Sequence, residues 1–325
     1  MKKKVLLQGV IILFCALLTG CLAMTTESTT TLSLTTTTIT TTTPEMVFDY
    51  LGETPPTDDV IRFDPSGFLA NSSWFWHSSP VFSPDGTEMY WSKYLVGLDH
   101  IQIWFTTKVD GQWTTAVKLE IEGINGDTNC PVFVPGDDGL YFMNYYTNVF
   151  AIYRATRTES GWGDPVIVDV PIPSGQFLGW SFSIADNKNL YLPLSSIGGL
   201  GVSQIYVSVY HDGGYETPTL IANQGSGLYG NGDPAIAPDE SYLIFMSSRN
   251  DGFGYHDLYI CFQTGVGAFT EPVSLGAQIN TASEEGRAQI SADGQYLFFT
   301  TSKSGDFGYN PYWIRLDQLE VFAAS

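Results

Sequence analysis

Three carboxylates stand where acid–base chemistry could be done. Asp127, Asp233 and Glu285 each open or precede a short apolar run, and the three runs belong to a pattern that recurs along the chain about every 50 residues. Hydrolysis of a glycosidic bond needs such groups: one carboxylic acid protonates the leaving oxygen, and a second carboxylate activates water or attacks the sugar. A third can tune the donor. Nearby in the same segments are residues suited to holding a polar ligand, namely His77, Asn129, Trp180, Asn231, Arg249, His256 and Arg287. His77 follows Trp74-Phe75-Trp76, and flat rings of that kind can either stack on sugar faces or pack a loop against the fold. With 34 acids in the chain, three on one face is close to what chance supplies. The same acids can hydrogen-bond loop backbone or sit in solvent, so a binding module and a glycoside hydrolase or lyase both stand as readings.

Other chemistries find less support. The four His residues are scattered and no acidic loop has a calcium pattern, so neither a metal nor a cofactor is expected. Cys130 and Cys261 sit in apolar, strand-like surroundings without CxxC spacing; they read as small hydrophobes, in non-adjacent units and unpaired. The formal charge of −20, with no basic run after Lys4, excludes nucleic acid as a partner, since phosphate binding needs clustered Lys and Arg.

The elements that must position these residues are repeats. Gly232 to Ile260 and Gly286 to Ile314 are two copies of one pattern, and three earlier copies begin near Pro80, Pro131 and Trp180. The landmarks Pro80, Pro131, Trp180, Pro234 and Ala288 are 51, 49, 54 and 54 residues apart. Each copy reads as four strands. A short apolar strand ends in a turn such as Ser83-Pro84-Asp85-Gly86. Runs such as Leu243-Ile244-Phe245 and Leu297-Phe298-Phe299 form the second strand, and an aromatic anchor such as Leu258-Tyr259 or Tyr312-Trp313 marks the third. A fourth strand, such as Val117 to Leu119 or Val273 to Leu275, closes the unit. The last copy stops after its third strand, while Val60 to Phe63 is a spare strand ahead of the first. This offset predicts an all-β, five-bladed β-propeller of four-stranded antiparallel blades. Its ring is closed by the N-terminal strand, which removes the open sheet edges. The loops before each first strand and those between second and third strands then share one face around the channel. All the candidates named above fall in those loops or beside them.

The Ser83-Pro84-Asp85-Gly86 turn, Leu297-Phe298-Phe299 followed by Thr300-Thr301-Ser302, and Gly254-Tyr255-His256-Asp257-Leu258-Tyr259 resemble the TolB-type, WD-like propeller repeat of cell-envelope proteins. The resemblance covers Val60 to Leu316. It implies a propeller in the cell envelope, most often a binding scaffold whose repeat carries no catalytic residue. Three acids around the axis of five blades also resemble the arrangement of arabinanase- and xylosidase-type glycosidases, which implies the alternative activity.

The N-terminus reads as an address. Lys2 to Lys4 precede an apolar stretch, Val5 to Leu18, too short to span a bilayer comfortably. Leu18-Thr19-Gly20-Cys21 resembles a prokaryotic lipobox, which implies cleavage after residue 20 and a lipid on Cys21. Residues 21–44 then form a linker, with Thr25 to Thr43 almost all Thr and Ser; those 19 residues reach roughly 65 Å when extended. The expected organisation is a signal peptide over 1–20, a lipidated linker over 21–44 and a propeller over 45–325. The expected protein is an extracytoplasmic monomer held to a membrane through Cys21, its partner a glycan, a peptide or an envelope protein.

Overall fold

A computed structural model describes residues 48–65, 74–95, 100–159, 161–196, 202–224, 229–265, 267–303 and 308–323. The signal segment, Cys21 and the Thr-rich linker lie outside the described residues. Among the described residues five antiparallel blade sheets form, each with the four-strand order read from the repeat, and a separate two-stranded hairpin pairs Tyr210–His211 with Gly214–Tyr215. Blade one has Trp74–His77 with Val81–Phe82 as its innermost strand, followed by Glu88–Leu95, His100–Val109 and Val117–Lys118. Blade two runs through Asp127–Phe133, Gly139–Tyr146, Val149–Thr158 and Val166–Ile167. Blade three has Phe177–Leu178 with Ser183–Ile184, then Leu190–Ser195, Gln204–Ser208 and Thr219–Leu220. Blade four is Asn231–Ile236, Tyr242–Ser247, Asp257–Gly265 and Val273–Ser274. Blade five is Glu285–Ile290, Tyr296–Thr301 and Asn310–Arg315, and its outer strand is Ile61–Arg62, paired antiparallel with Trp313 and Tyr312. The N-terminal strand thus closes the ring, as the offset of the repeat requires.

Strand alternation explains the core. Successive side chains point to opposite faces of a sheet, so each second strand feeds two seams. In blade one, Met89 and Trp91 pack with Phe298 and Trp313 of blade five, while Tyr90 faces Leu140 and Phe142 of blade two. In blade five, Leu297 and Phe299 join Ile244 and Ile260 of blade four, while Phe298 faces blade one. Among the described residues the hydrophobic clusters number five, one for each seam of a five-membered ring.

The turns between first and second strands of blades one and five share one chemistry. Ser83 Oγ donates to Asp85 Oδ1 at 2.6 Å and accepts from Glu88 N at 2.9 Å; Ser291 Oγ makes the same pair with Asp293 Oδ1 at 2.6 Å and Tyr296 N at 2.9 Å. Gly86 and Gly294 follow at φ +67° and +70°, which disfavour any side chain. Against this turn end of the ring lies the segment entering at Phe48. Tyr50 is 2% exposed among Phe82, Tyr296 and Trp313, and its hydroxyl donates to Asp293 Oδ2 at 2.7 Å. Asp49 accepts from Lys108 Nζ and, at 3.0 Å, from Trp113 Nε1. A Cβ on Gly86 would meet the Phe48 ring at 2.9 Å.

One landmark shifts. Backbone pairing sets Ser183 opposite Tyr191 and Ile184 opposite Leu190, as Ala235 faces Ile244 and Ile236 faces Leu243. The blade-three equivalent of Pro234 is therefore Phe182, not Trp180. Gly179 N bonds Pro193 O, the place Gly232 takes opposite Met246. Trp180 is an extra residue bulged out of the innermost strand. It is 41% exposed, where a landmark of the apolar strand would be buried.

Candidate functional site

With the blades in register, one position on each innermost strand meets the axis: Ser79, Cys130, Ser181, Asp233 and Arg287, spaced by 51, 51, 52 and 54 residues. These five make a collar. Ser79 Oγ donates to the Arg287 carbonyl, and Asp233 N donates to Ser181 Oγ at 3.1 Å. Asp233 Oδ2 accepts from Arg287 N at 3.2 Å and pairs with Arg287 Nε at 3.3 Å. Arg287 Nη1 reaches Cys130 Sγ at 3.9 Å. Cys130, Asp233 and Arg287 have φ of +50°, +45° and +50°, at the bulges where the inner strand slips register against the second. A left-handed backbone costs these side chains roughly 1 kcal/mol each, and the collar contacts help hold it. Burial pushes the Cys130 thiol up to about 11, so it is a packing group rather than a thiolate.

On the loop side of the collar is a cavity of about 330 Å³ built by blades three, four and five. Its floor follows from three glycines in one repeat position, Gly179, Gly232 and Gly286. The equivalent residues in blades one and two are Ser78 and Asn129. Pro193, Met246 and Thr300 complete the floor from the neighbouring strands. A Cβ on Gly286 would lie 3.2 Å from both Asp233 Oδ2 and Met246 Sδ, so a side chain here would push on both neighbours and take up cavity space. The wall carries Trp180, His256, Glu284 and Tyr309. Tyr309 Oη donates to Glu284 Oε2, and His256 Nδ1 is 3.9 Å from Glu284 Oε1. Burial, followed by the hydrogen bond to Glu284, raises the Tyr309 hydroxyl to about 12, so it keeps its proton through neutral and mildly alkaline pH.

Of the three acids singled out from sequence, Asp233 and Glu285 reach this cavity and Asp127 does not. Asp127 sits in blade two with its Oδ1 2.8 Å from His100 Nδ1. Asp233 is committed to the collar. Glu285 is fully buried: Oε2 accepts from Thr281 N at 2.9 Å, and Oε1 from Thr281 Oγ1 and Thr301 Oγ1 at 2.7 Å each. Burial raises its pKa despite these bonds. Glu285 opposite Thr301 is the register counterpart of Asn231 opposite Ser247 and His77 opposite Lys93. Asn231 is likewise buried and bonded, donating to Gln204 Oε1 and the Gln224 carbonyl and accepting from Ser247 Oγ.

The remaining candidates divide in the same way. Trp180, His256 and Arg287 line the cavity. Asn129 lies in blade two and donates to the Trp180 carbonyl at 3.2 Å. Arg249 donates to the Gln224 carbonyl and to Ser247 Oγ and covers the Tyr259 ring at 5.1 Å, which ties blade four to the loop from blade three. Asp257 caps Phe253 N and Gly254 N at 2.9 and 3.1 Å, a turn-holding role. Glu284 falls among the polar residues that the sequence places ahead of the last unit's first strand, whereas Tyr309 and the glycine floor were not among the sequence candidates. The signal for the floor was present in Gly179-Trp180, Asn231-Gly232-Asp233 and Glu285-Gly286-Arg287, but it becomes visible only when unit three is aligned on Phe182.

No family model matches the sequence, and no curated protein matches it. Solved structures do match in fold. TolB from Acinetobacter baumannii aligns with a TM-score of 0.48 and 16% identity, over 75% of this chain and 55% of that one. The chain thus spans about half the length of that TolB. An α-L-arabinofuranosidase from Lactobacillus brevis aligns with a TM-score of 0.47 and 12% identity, over 75% of this chain and 92% of that one. The α-L-arabinofuranosidase of Podospora anserina, solved with cellotriose, aligns at 0.45 and 13%, over 75% and 92%. The likeness is one of fold. The site is defined by this chain's own side chains. No helix among the described residues is long and apolar enough to cross a membrane.

Proposed function

We propose that this protein is an extracytoplasmic binding module, tethered to a membrane through Cys21, that holds a saccharide in the cavity of blades three to five. The observation that carries the reading is the composition of that cavity. A projecting indole at Trp180 offers a flat apolar face. Glu284, His256, Tyr309, Ser195 and Ser203 offer hydrogen-bonding groups of the kind that hydroxyls need. The volume of about 330 Å³ lies at the small end of ordinary ligand pockets.

Binding is favoured over hydrolysis by the state of the acids. Glycoside hydrolysis takes two carboxylates flanking one bond. Of the three that line the cavity, Asp233 and Glu285 have side chains 10% and 0% exposed and are held by protein donors, while Glu284 is 34% exposed. A single solvent-reaching carboxylate suits ligand capture better than acid–base catalysis.

The test is a glycan array, read for binding and for released sugar, using the mature chain with Cys21→Ser so that no detergent is needed. Binding without turnover, weakened about tenfold or more by Glu284→Gln and by Tyr309→Phe, is the expected result. Release of sugar that disappears in Glu284→Gln would replace the binding reading with a hydrolase. An array without binding would remove the saccharide.

A further inference from the structure

A second cavity, about 570 Å³, opens between blades two and three. Its walls include Phe150, Ile152, Ile167, Phe177 and Leu192, and among its lining residues only Asp169 carries a charge. Ile167 and Phe177 are 61% and 49% exposed, so an apolar strip faces solvent here. The two cavities share blade three as a partition. Leu178 and Leu192 face the apolar one, while their chain neighbours Gly179 and Pro193 face the polar one, as strand alternation requires. Trp180 stands on the partition. Its ring packs against Phe150 at 4.6 Å and Tyr145 at 5.5 Å, both lining the groove, and it also lines the axial cavity.

From this juxtaposition we infer that the two cavities form one bipartite site for an amphiphile, a saccharide head in the axial cavity joined to an uncharged alkyl or acyl arm that crosses Trp180 into the groove. The inference rests on the saccharide reading of the axial cavity. The axial side supplies carboxylate, imidazole, phenol and hydroxyl groups; the groove supplies aliphatic and aromatic carbon with almost no charge. A sugar alone would leave Ile167 and Phe177 in water. An unsubstituted hydrocarbon would leave Glu284 and Tyr309 without a ligand. A molecule with both parts satisfies both surfaces, and the exposed indole gives the junction a flat surface to lie on. Each methylene taken out of water is worth a roughly fourfold gain in affinity, so even partial seating of an arm is measurable.

The experiment is calorimetric titration of the mature Cys21→Ser chain with methyl β-glucoside, n-octyl β-glucoside below its micelle concentration, and 1-octanol. The octyl glycoside is expected to bind at least tenfold tighter than the methyl glycoside. Ile167→Glu and Phe177→Glu, both at exposed positions, are expected to remove that gain while leaving methyl glucoside binding within about twofold. Trp180→Ala is expected to weaken both glycosides. Equal affinity for the two glycosides, no binding of the octyl glycoside, or a gain that survives both groove variants would overturn the inference. If sugars bind on the array but the octyl gain is absent, the axial reading stands and the bipartite site falls. If octanol binds as tightly as octyl glucoside and the array is blank, both fall.

Discussion

The two sides of the channel are built from the same repeat and end in opposite states. On blades three, four and five the position beside the collar is glycine, and a cavity opens. On blades one and two the same position is Ser78 and Asn129. Behind Ser78 in blade one, Lys93 is 5% exposed, with its ammonium 4.2 Å from the centre of the Trp104 ring and 5.1 Å from that of Trp91. Its register counterparts in blades four and five are the hydroxyl residues Ser247 and Thr301. The difference shows how a repeat protein makes a site. The strands and turns stay constant, and side-chain volume at one position decides which part of the ring is hollow.

Filling the open side should have the largest effect. Gly286→Asn places in blade five the residue blade two already carries. It should reduce saccharide binding by at least 100-fold, with a loss of stability near 1 kcal/mol; calorimetry and thermal melts measure the two effects. Unchanged affinity would dissociate the cavity from binding.

The closed side makes a prediction in pH. Burial lowers the Lys93 pKa to about 8 from the usual 10.5. The folded state then releases this proton before the unfolded state does. Between about pH 8 and 10.5 the unfolded chain holds more protons, so this residue makes stability rise with pH across that window. The gain should be on the order of 2 kcal/mol, offset above pH 10 by the buried tyrosines, whose hydroxyls ionise later in the folded state than in the unfolded one. Lys93→Met should flatten the rise in denaturant midpoints measured from pH 7.5 to 9.5, and a slope unchanged by the substitution would assign it elsewhere.

Smaller effects sharpen the contrast. Asn129→Gly imports the open-side residue into blade two and removes the bond to the Trp180 carbonyl, at a cost of about 1 kcal/mol in urea unfolding. It should leave the affinity of the blade three to five cavity within about threefold. Asp127→Asn breaks a pair whose His100 side chain is 59% exposed. It should change stability by less than about 0.5 kcal/mol and saccharide binding not at all. A large loss of binding in Asp127→Asn would bring blade two into the site.

Much of the fold was legible because it depends on period. The turn Ser83 to Gly86, the anchors Tyr259 and Trp313, and the spare strand at Val60 to Phe63 repeat or complete a pattern that only a closed ring satisfies. The site was legible in part. Trp180, Asp233, His256 and Arg287 could be placed on the right face, but neighbouring residues on a strand point to opposite faces. A displacement of one residue therefore separates a solvent-reaching group from a buried strut. Glu284 and Glu285 are the clearest instance: adjacent in sequence, one meets solvent beside Tyr309 and the other is sealed by Thr281 and Thr301. Sequence marks both as acids; only the register of blade five separates them. Trp180 taught the reverse lesson, because its bulge hid the regular spacing of the collar.

The docking of Phe48 to Gly52 against the turns at Gly86 and Asp293 has a directional consequence. The chain enters the ring at the end that carries those turns, whereas Glu284, His256 and Tyr309 project from the other. The mouth of the axial cavity is thus at the far end of the ring from Phe48, and the chain at that entry point does not crowd a ligand's approach.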